Sequence, residues 1–203
     1  VLADATISHG SENISFRYVV LSKEPSKFRI DVLPLQGAFT LGLLVAREDG
    51  AVWMNPQENT FVRASDERSL VGEYLGLPGV SRGTAVALMT GVLPPSVCHD
   101  VRLFEMENKD LLFVDDTYHT AWRVEGRTPK VRELQILDSD GTSVDVRARY
   151  GAFEGARPAV IDLDVFSPAT AEVSLAIKKS VINPQLNEQL FSVEPPAGYT
   201  EKR

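Results

Sequence analysis

Apolar and polar residues alternate with a period of two over most of this chain. Ile14, Phe16, Tyr18 and Val20 alternate with Ser15, Arg17 and Val19. Phe28, Ile30 and Val32 alternate with Arg29 and Asp31, and Phe39, Leu41, Leu43 and Val45 alternate with Thr40, Gly42, Leu44 and Ala46. Successive side chains on an extended strand point to opposite faces, so these stretches predict half-buried strands. Lys23-Glu24-Pro25-Ser26 and Glu48-Asp49-Gly50 supply turns, the second with the Asp-Gly hairpin signal. Val52-Trp53-Met54 and Thr60-Phe61-Val62 flank a third turn at Asn55-Pro56.

The pattern changes at Ser65. Ser65 suits a helix N-cap and is followed by acidic residues in the first turn, with Leu70, Val71, Tyr74 and Leu75 at helical spacing. Gly76-Leu77-Pro78-Gly79 ends that helix, and a second is predicted from Ser81 to about Thr90, closed by Gly91 and Pro94-Pro95. Strands resume after Cys98: 101–106, 110–114, 120–125, 131–137, 143–150, 160–166 and 172–182. Turns about every 8–12 residues are the mark of an all-β chain. The tail predicts a short helical turn between Asn183 and Phe191, and a last strand at Phe191-Ser192-Val193.

About eleven or twelve antiparallel strands are too many for a flat sheet, which would curl or split. The expected fold is therefore mainly β: one large, curved antiparallel sheet forming an unclosed half-barrel, with a two-helix lid over its mouth. The expected organisation is one domain, residues 1–203, with the lid inserted at about 65–93. Phe16, Tyr18, Phe28, Ile30, Phe39, Leu41 and Leu43 fall on the apolar phase. Two readings stay open for them: they fill a core, or they line a ligand cavity.

Composition narrows the function classes. The 203 residues are 43% hydrophobic and 24% charged, which permits a core. Twenty-one basic against 28 acidic residues give a net charge of −7, the wrong sign for a general nucleic-acid binder. One cysteine, Cys98, excludes an intrachain disulfide, and His9, His99 and His119 are too scattered for a zinc site read from spacing. The apolar run from Gly37 to Ala46 is about half of what a membrane-spanning helix needs. No basic segment followed by an apolar one opens the chain, which starts at Val1 rather than Met, so a leader removed upstream is compatible with it.

Catalytic constellations are not legible. Cys98-His99-Asp100 are adjacent, and neighbours on an extended chain cannot face one another as nucleophile, base and orienter. Asp138, Asp140 and Gly141 fit a hairpin turn better than a calcium loop, whose remaining ligands are missing. Asp115-Asp116 and the pair Asp162, Asp164 read as solvent-facing alternates. No Gly-rich phosphate loop appears, so an enzyme is disfavoured.

Residues 28–94 carry a resemblance. Phe28-Arg29-Ile30-Asp31-Val32 leads to Pro34-Leu35-Gln36-Gly37 and Phe39-Thr40-Leu41. A Val52-Trp53 strand, Leu75-Gly76-Leu77-Pro78 and Leu88-Met89-Thr90-Gly91 follow in order. This resembles the LolA/LolB family of outer-membrane lipoprotein localisation proteins, closer to LolB. The tail, Leu190-Phe191 through Pro195-Pro196-Ala197-Gly198, is similar to the LolA branch. Several features depart from the pattern. Gln36 is inserted before Gly37, Met89 stands where an aromatic is usual, and neither the usual N-terminal helix nor a lipidation cysteine is evident.

The resemblance implies an apolar cavity that accepts lipoprotein acyl chains or lipid and delivers them to the inner leaflet of the outer membrane. It implies no cofactor, a periplasmic location, a periplasmic carrier protein as a further partner, and any lipid anchor outside this chain. It adds Leu70, Tyr74, Leu75, Val86 and Met89 as lid residues facing the cavity, and Leu35 as a membrane-inserting tip, where the turn by itself leaves open that Leu35 folds back onto the core. Burying hydrocarbon yields ~0.8 kcal/mol per CH₂, so release needs an equally apolar destination. The competing readings are a periplasmic sensor or interaction module of the same fold, and a structural envelope protein with a solid interior.

Overall fold

The computed structural model describes residues 1–23, 27–37, 39–65, 74, 80–93, 101–128, 130–167, 170–181 and 185–202. Among them the period-two segments form strands. In chain order these are β1 (Leu2–His9), β2 (Glu12–Lys23), β3 (Lys27–Pro34), β4 (Gly42–Arg47), β5 (Gly50–Asn55), β6 (Thr60–Ala64) and β7 (Arg102–Glu105). They continue with β8 (Leu111–Asp115), β9 (Thr120–Val124), β10 (Val131–Leu137), β11 (Val144–Gly151), β12 (Val160–Val165), β13 (Ala171–Lys179) and β14 (Thr200–Glu201). Helix α1 spans Arg82–Thr90, and Glu188–Phe191 make one turn of 3₁₀ helix. The first of the two expected lid helices lies outside the described residues apart from Tyr74, which is helical.

The strands are hydrogen-bonded in the linear order β14-β6-β5-β4-β3-β2-β1-β13-β12-β11-β10-β9-β8-β7, so the sheet is not closed into a barrel. It is mixed, because β14 runs parallel to β6. Two compact units divide the chain: Val1–Asp4 with Ser15–Ala85 and Lys178–Arg203, and Ala5–Ile14 with Val86–Ile177. Strands β1, β2 and β13 and helix α1 each contribute residues to both.

In the first unit, β2 to β6 pair in regular antiparallel register, and cross-strand partners share a face. One face carries Phe16, Tyr18 and Val20, then Phe28, Ile30 and Val32, then Gly42, Leu44 and Ala46, then Trp53 and Val62. The other carries Arg17, Arg29, Asp31, Leu43, Val45, Met54 and Phe61. Here Leu43, Val45, Met54 and Phe61 form a core cluster against Val52, Val193 and Tyr199. The C-terminal segment is thus packed on the second face. Arg29 fastens it, donating from Nη1 to the Leu190 carbonyl at 2.8 Å while Nε and Nη2 hold Asp31 at 2.8 and 2.7 Å.

In the second unit, β7 to β13 form a ladder of antiparallel pairs. Register puts Leu103, Phe113, Trp122, Leu134, Ala148, Leu163 and Val173 in one row across the sheet. The row is fully buried at Trp122, Leu134 and Ala148, and ends on Leu103, which is 56% exposed. The opposite face is charged: Arg149 holds Asp164 at 2.6 and 3.0 Å, and Ser174 donates to Asp162 at 2.8 Å. These aspartates are structural members of a polar ladder.

Two local expectations change, and one strand is added. β1 has a weak strand signal because its fully buried positions are Ala3 and Ala5, small residues without β-branching. The final strand is β14, not Phe191–Val193, which includes the end of the 3₁₀ turn. Asp115 is buried rather than solvent-facing, its Oδ1 accepting from the Thr117 and Tyr118 amides at 2.9 and 3.1 Å. The Asp138 turn is a hairpin turn as expected: the Thr142 amide donates to Asp138 Oδ1 at 2.8 Å and holds that carboxyl below its usual range.

Candidate functional site: the apolar face of the first unit

Strands β2 and β3 bring Phe16, Tyr18, Phe28 and Ile30 onto one face, as their alternation with Arg17, Arg29 and Asp31 predicts. Phe28 and Ile30 are fully buried, Tyr18 is 2% exposed and Phe16 is half-buried. Leu43 is on the other face, and the residue that joins Ile30 is Leu44. The physical reason is that β4 is buried on both sides from Gly42 to Ala46, so its sequence carries no phase. Only the pairing register assigns its faces.

Phe39 and Leu41 precede β4. Leu41 extends the ladder through its amide, which donates to the Val32 carbonyl at 2.7 Å, and is half-buried. Phe39 is 57% exposed and does not join the apolar face. It shares the β3–β4 loop with Leu35, which is 42% exposed. Gly37, between them, has φ +115, a backbone conformation that side-chain-bearing residues rarely adopt.

Trp53 and Gly42 shape the middle of the face. A Cβ on Gly42 would lie 2.0 Å from the Trp53 ring, so the indole lies across the bare backbone of β4. Tyr74 then packs on Trp53, with ring centroids 4.1 Å apart and planes at 45°. A residue of the expected lid therefore contacts this face. Burial, and secondarily the charge of Asp31, pushes the Tyr74 phenol up. Burial alone pushes Tyr18 up. The Tyr18 hydroxyl has no hydrogen-bond partner among the described residues.

Leu70, Leu75 and the Cys98-His99-Asp100 triplet lie outside the described residues. Helix α1 starts where expected: the Ser81 Oγ accepts from the Thr84 amide at 3.1 Å. Its buried face is Thr84, Ala85, Ala87 and Leu88, with Val86 and Met89 half-buried on the flank. In the second unit, Tyr150 donates to the Ala87 carbonyl at 3.1 Å. The apolar row through Trp122 and Leu134 was not anticipated as a site, although its alternation with Arg123, Glu133 and Gln135 is visible in the sequence.

On the reverse of the first unit a groove of about 360 Å³ is lined by Val45, Val52, Arg63, Phe191, Val193 and Glu194, among others. It lies opposite Tyr18 and Ile30, beneath the C-terminal segment. No group of three or more His, Cys, Asp or Glu among the described residues could hold a metal ion. No described helix is long and apolar enough to cross a membrane.

Solved structures share this arrangement. A LolA superfamily protein from Nitrosomonas europaea superposes with a TM-score of 0.63 at 14% identity, covering 95% of this chain and 89% of that one. A domain named for outer membrane lipoprotein sorting, from Vibrio parahaemolyticus, gives 0.60 at 11% identity, covering 94% and 88%. A DUF1329 family protein from Desulfovibrio piger gives 0.59 at 8% identity, with the same 94% and 88%. No family model matches the chain, and no curated protein matches it in sequence. These identities show a likeness of fold alone and do not single out LolB or any other member.

Proposed function

We propose that this protein is a carrier, not an enzyme, that takes lipoprotein acyl chains or lipid onto the apolar face of Tyr18, Phe28, Ile30 and Leu44 and delivers them to the outer membrane. In this reading the face belongs to an unclosed half-barrel of a single domain, located in the periplasm, with the helical lid expected at about 65–93, to which Tyr74 belongs. The observation that carries it is the Tyr74 ring seated on Trp53 over that face, in a fold shared with a protein named for lipoprotein sorting. Aromatic and aliphatic side chains without charge suit hydrocarbon, whose burial yields ~0.8 kcal/mol per CH₂. Leu35, with Phe39 beside it on one loop, is the proposed membrane-contacting tip. The cargo would arrive from a periplasmic carrier or directly from a donor membrane, and no cofactor is required.

Native mass spectrometry of the protein purified from a bacterial envelope tests this. Retained lipid or acylated protein, displaced by added fatty acid, is the expected result. A chain that retains nothing and fails to bind an apolar dye would leave the face as an ordinary core and sink the carrier reading.

A further inference from the structure

We infer that the Tyr18 hydroxyl is the donor that holds the ester or amide carbonyl of a bound acyl chain, fixing where along the apolar face the chain's head sits. This rests on the carrier reading and names the chemistry of its site. Tyr18 is 2% exposed, and its hydroxyl is fully enclosed with no hydrogen-bond partner among the described residues. A buried hydroxyl left unpaired is unfavourable, and phenylalanine would fill the same volume without that cost. The neighbouring side chains on its face, Phe16, Val20, Val32 and Ile30, offer no acceptor.

The missing partner must be an acceptor, must be uncharged or nearly so, and must come with apolar surface. An acyl ester or amide carbonyl meets all three requirements, since it accepts a hydrogen bond and is continuous with hydrocarbon. A phenol supplies one O–H donor at a fixed distance from the backbone, which suits one carbonyl at one depth. Burial keeps the phenol protonated, and so a donor, throughout the physiological range. A place for the chain lies in the same row but is occupied: Tyr18 pairs with Val32, and Val32 with Gly42, where the Trp53 indole fills the site of the absent Cβ. In this scheme the ring swings aside to admit the chain, so the empty site is plugged by its own tryptophan.

The test compares methyl laurate with tridecane, a hydrocarbon of similar length, by displacement of an apolar dye from the full chain and from Tyr18→Phe. The variant is expected to bind methyl laurate about 3–10-fold more weakly, the worth of one hydrogen bond, and tridecane within twofold of the wild type. Its thermal midpoint should be equal or higher, because the stranded hydroxyl is gone. Unchanged affinity for methyl laurate, or an equal loss for both ligands, overturns the assignment. Failure of both ligands to bind the wild type overturns the carrier reading and this inference together. Infrared spectra of carbonyl-labelled methyl laurate on the wild type give an independent reading. A hydrogen-bonded carbonyl absorbs at lower frequency than the free ester in alkane, and an unshifted band refutes the contact even if the variant does not fold.

Discussion

Gly42 illustrates how one missing atom sets the candidate site. With no Cβ it lets the Trp53 ring cross β4, and Tyr74 packs on that ring in turn. Gly42→Ala would place a methyl 2.0 Å from the Trp53 ring, so the indole must move. The expected cost is about 1–3 kcal/mol, the usual penalty for overpacking, with a red-shifted emission from Trp53. Denaturant midpoints and fluorescence check both, and an unaltered spectrum would show that the ring does not lie there. Residues of this kind were partly legible. Phe28 and Ile30 announce their face because Arg29 and Asp31 interrupt them. Leu43 misleads because Leu44 beside it is equally apolar. On α1, Leu88 packs more tightly than Met89, a choice that depends on which flank of the helix meets its neighbours.

At the level of elements, β4 and the C-terminal segment explain each other. A strand apolar on both faces needs two covers, and Val193 and Tyr199 pack on the side away from Tyr18. The 3₁₀ turn that precedes them is pinned by Glu188, whose two carboxylate oxygens accept from Lys23 and Lys27. Those hydrogen bonds, Lys23 first, depress the Glu188 carboxyl from 4.5 to about 2. A folded-state value below the unfolded one means stabilisation present above about pH 4.5 and lost as the pH falls through about 2. The groups are exposed, so the effect is local and weakened by salt. Proteolysis near residue 188 is expected to increase between these pH values. The Glu188→Gln variant should be cut more readily at neutral pH and should lose that acid response. A wild-type cleavage rate that stays flat from pH 5 to 2 would contradict the pinning role.

Over the whole chain, each unit has an apolar sheet face, and the net charge is −7. Acidic proteins gain nothing from anionic lipid surfaces, so membrane contact under the carrier reading is hydrophobic. Leu35 and Phe39 are the exposed apolar pair on the β3–β4 loop. Inserting one such side chain yields about 1.5–3 kcal/mol, enough to bias release and too little to anchor the protein. Leu35→Glu is therefore expected to leave folding and cargo binding intact while slowing transfer to liposomes. Transfer should proceed equally well to neutral and anionic vesicles. Undiminished transfer by the variant would take the loop out of the mechanism.

Period-two alternation by itself determined that this chain is mainly β, where most strands and turns lie, and that a helical segment interrupts the series near Arg82. Local chemistry sufficed for these, because a strand that buries one face must write that face into every second residue. Tertiary structure alone decided the rest. The parallel pairing of the two-residue β14 with β6 has no apolar signature in Thr200-Glu201, since it is made by backbone groups. The faces of β4 were set by register, which a run of uniformly apolar residues does not encode. That the Tyr18 hydroxyl has no partner among the described residues could not be read from sequence either, because whether a buried polar atom has a partner depends on what distant strands bring beside it.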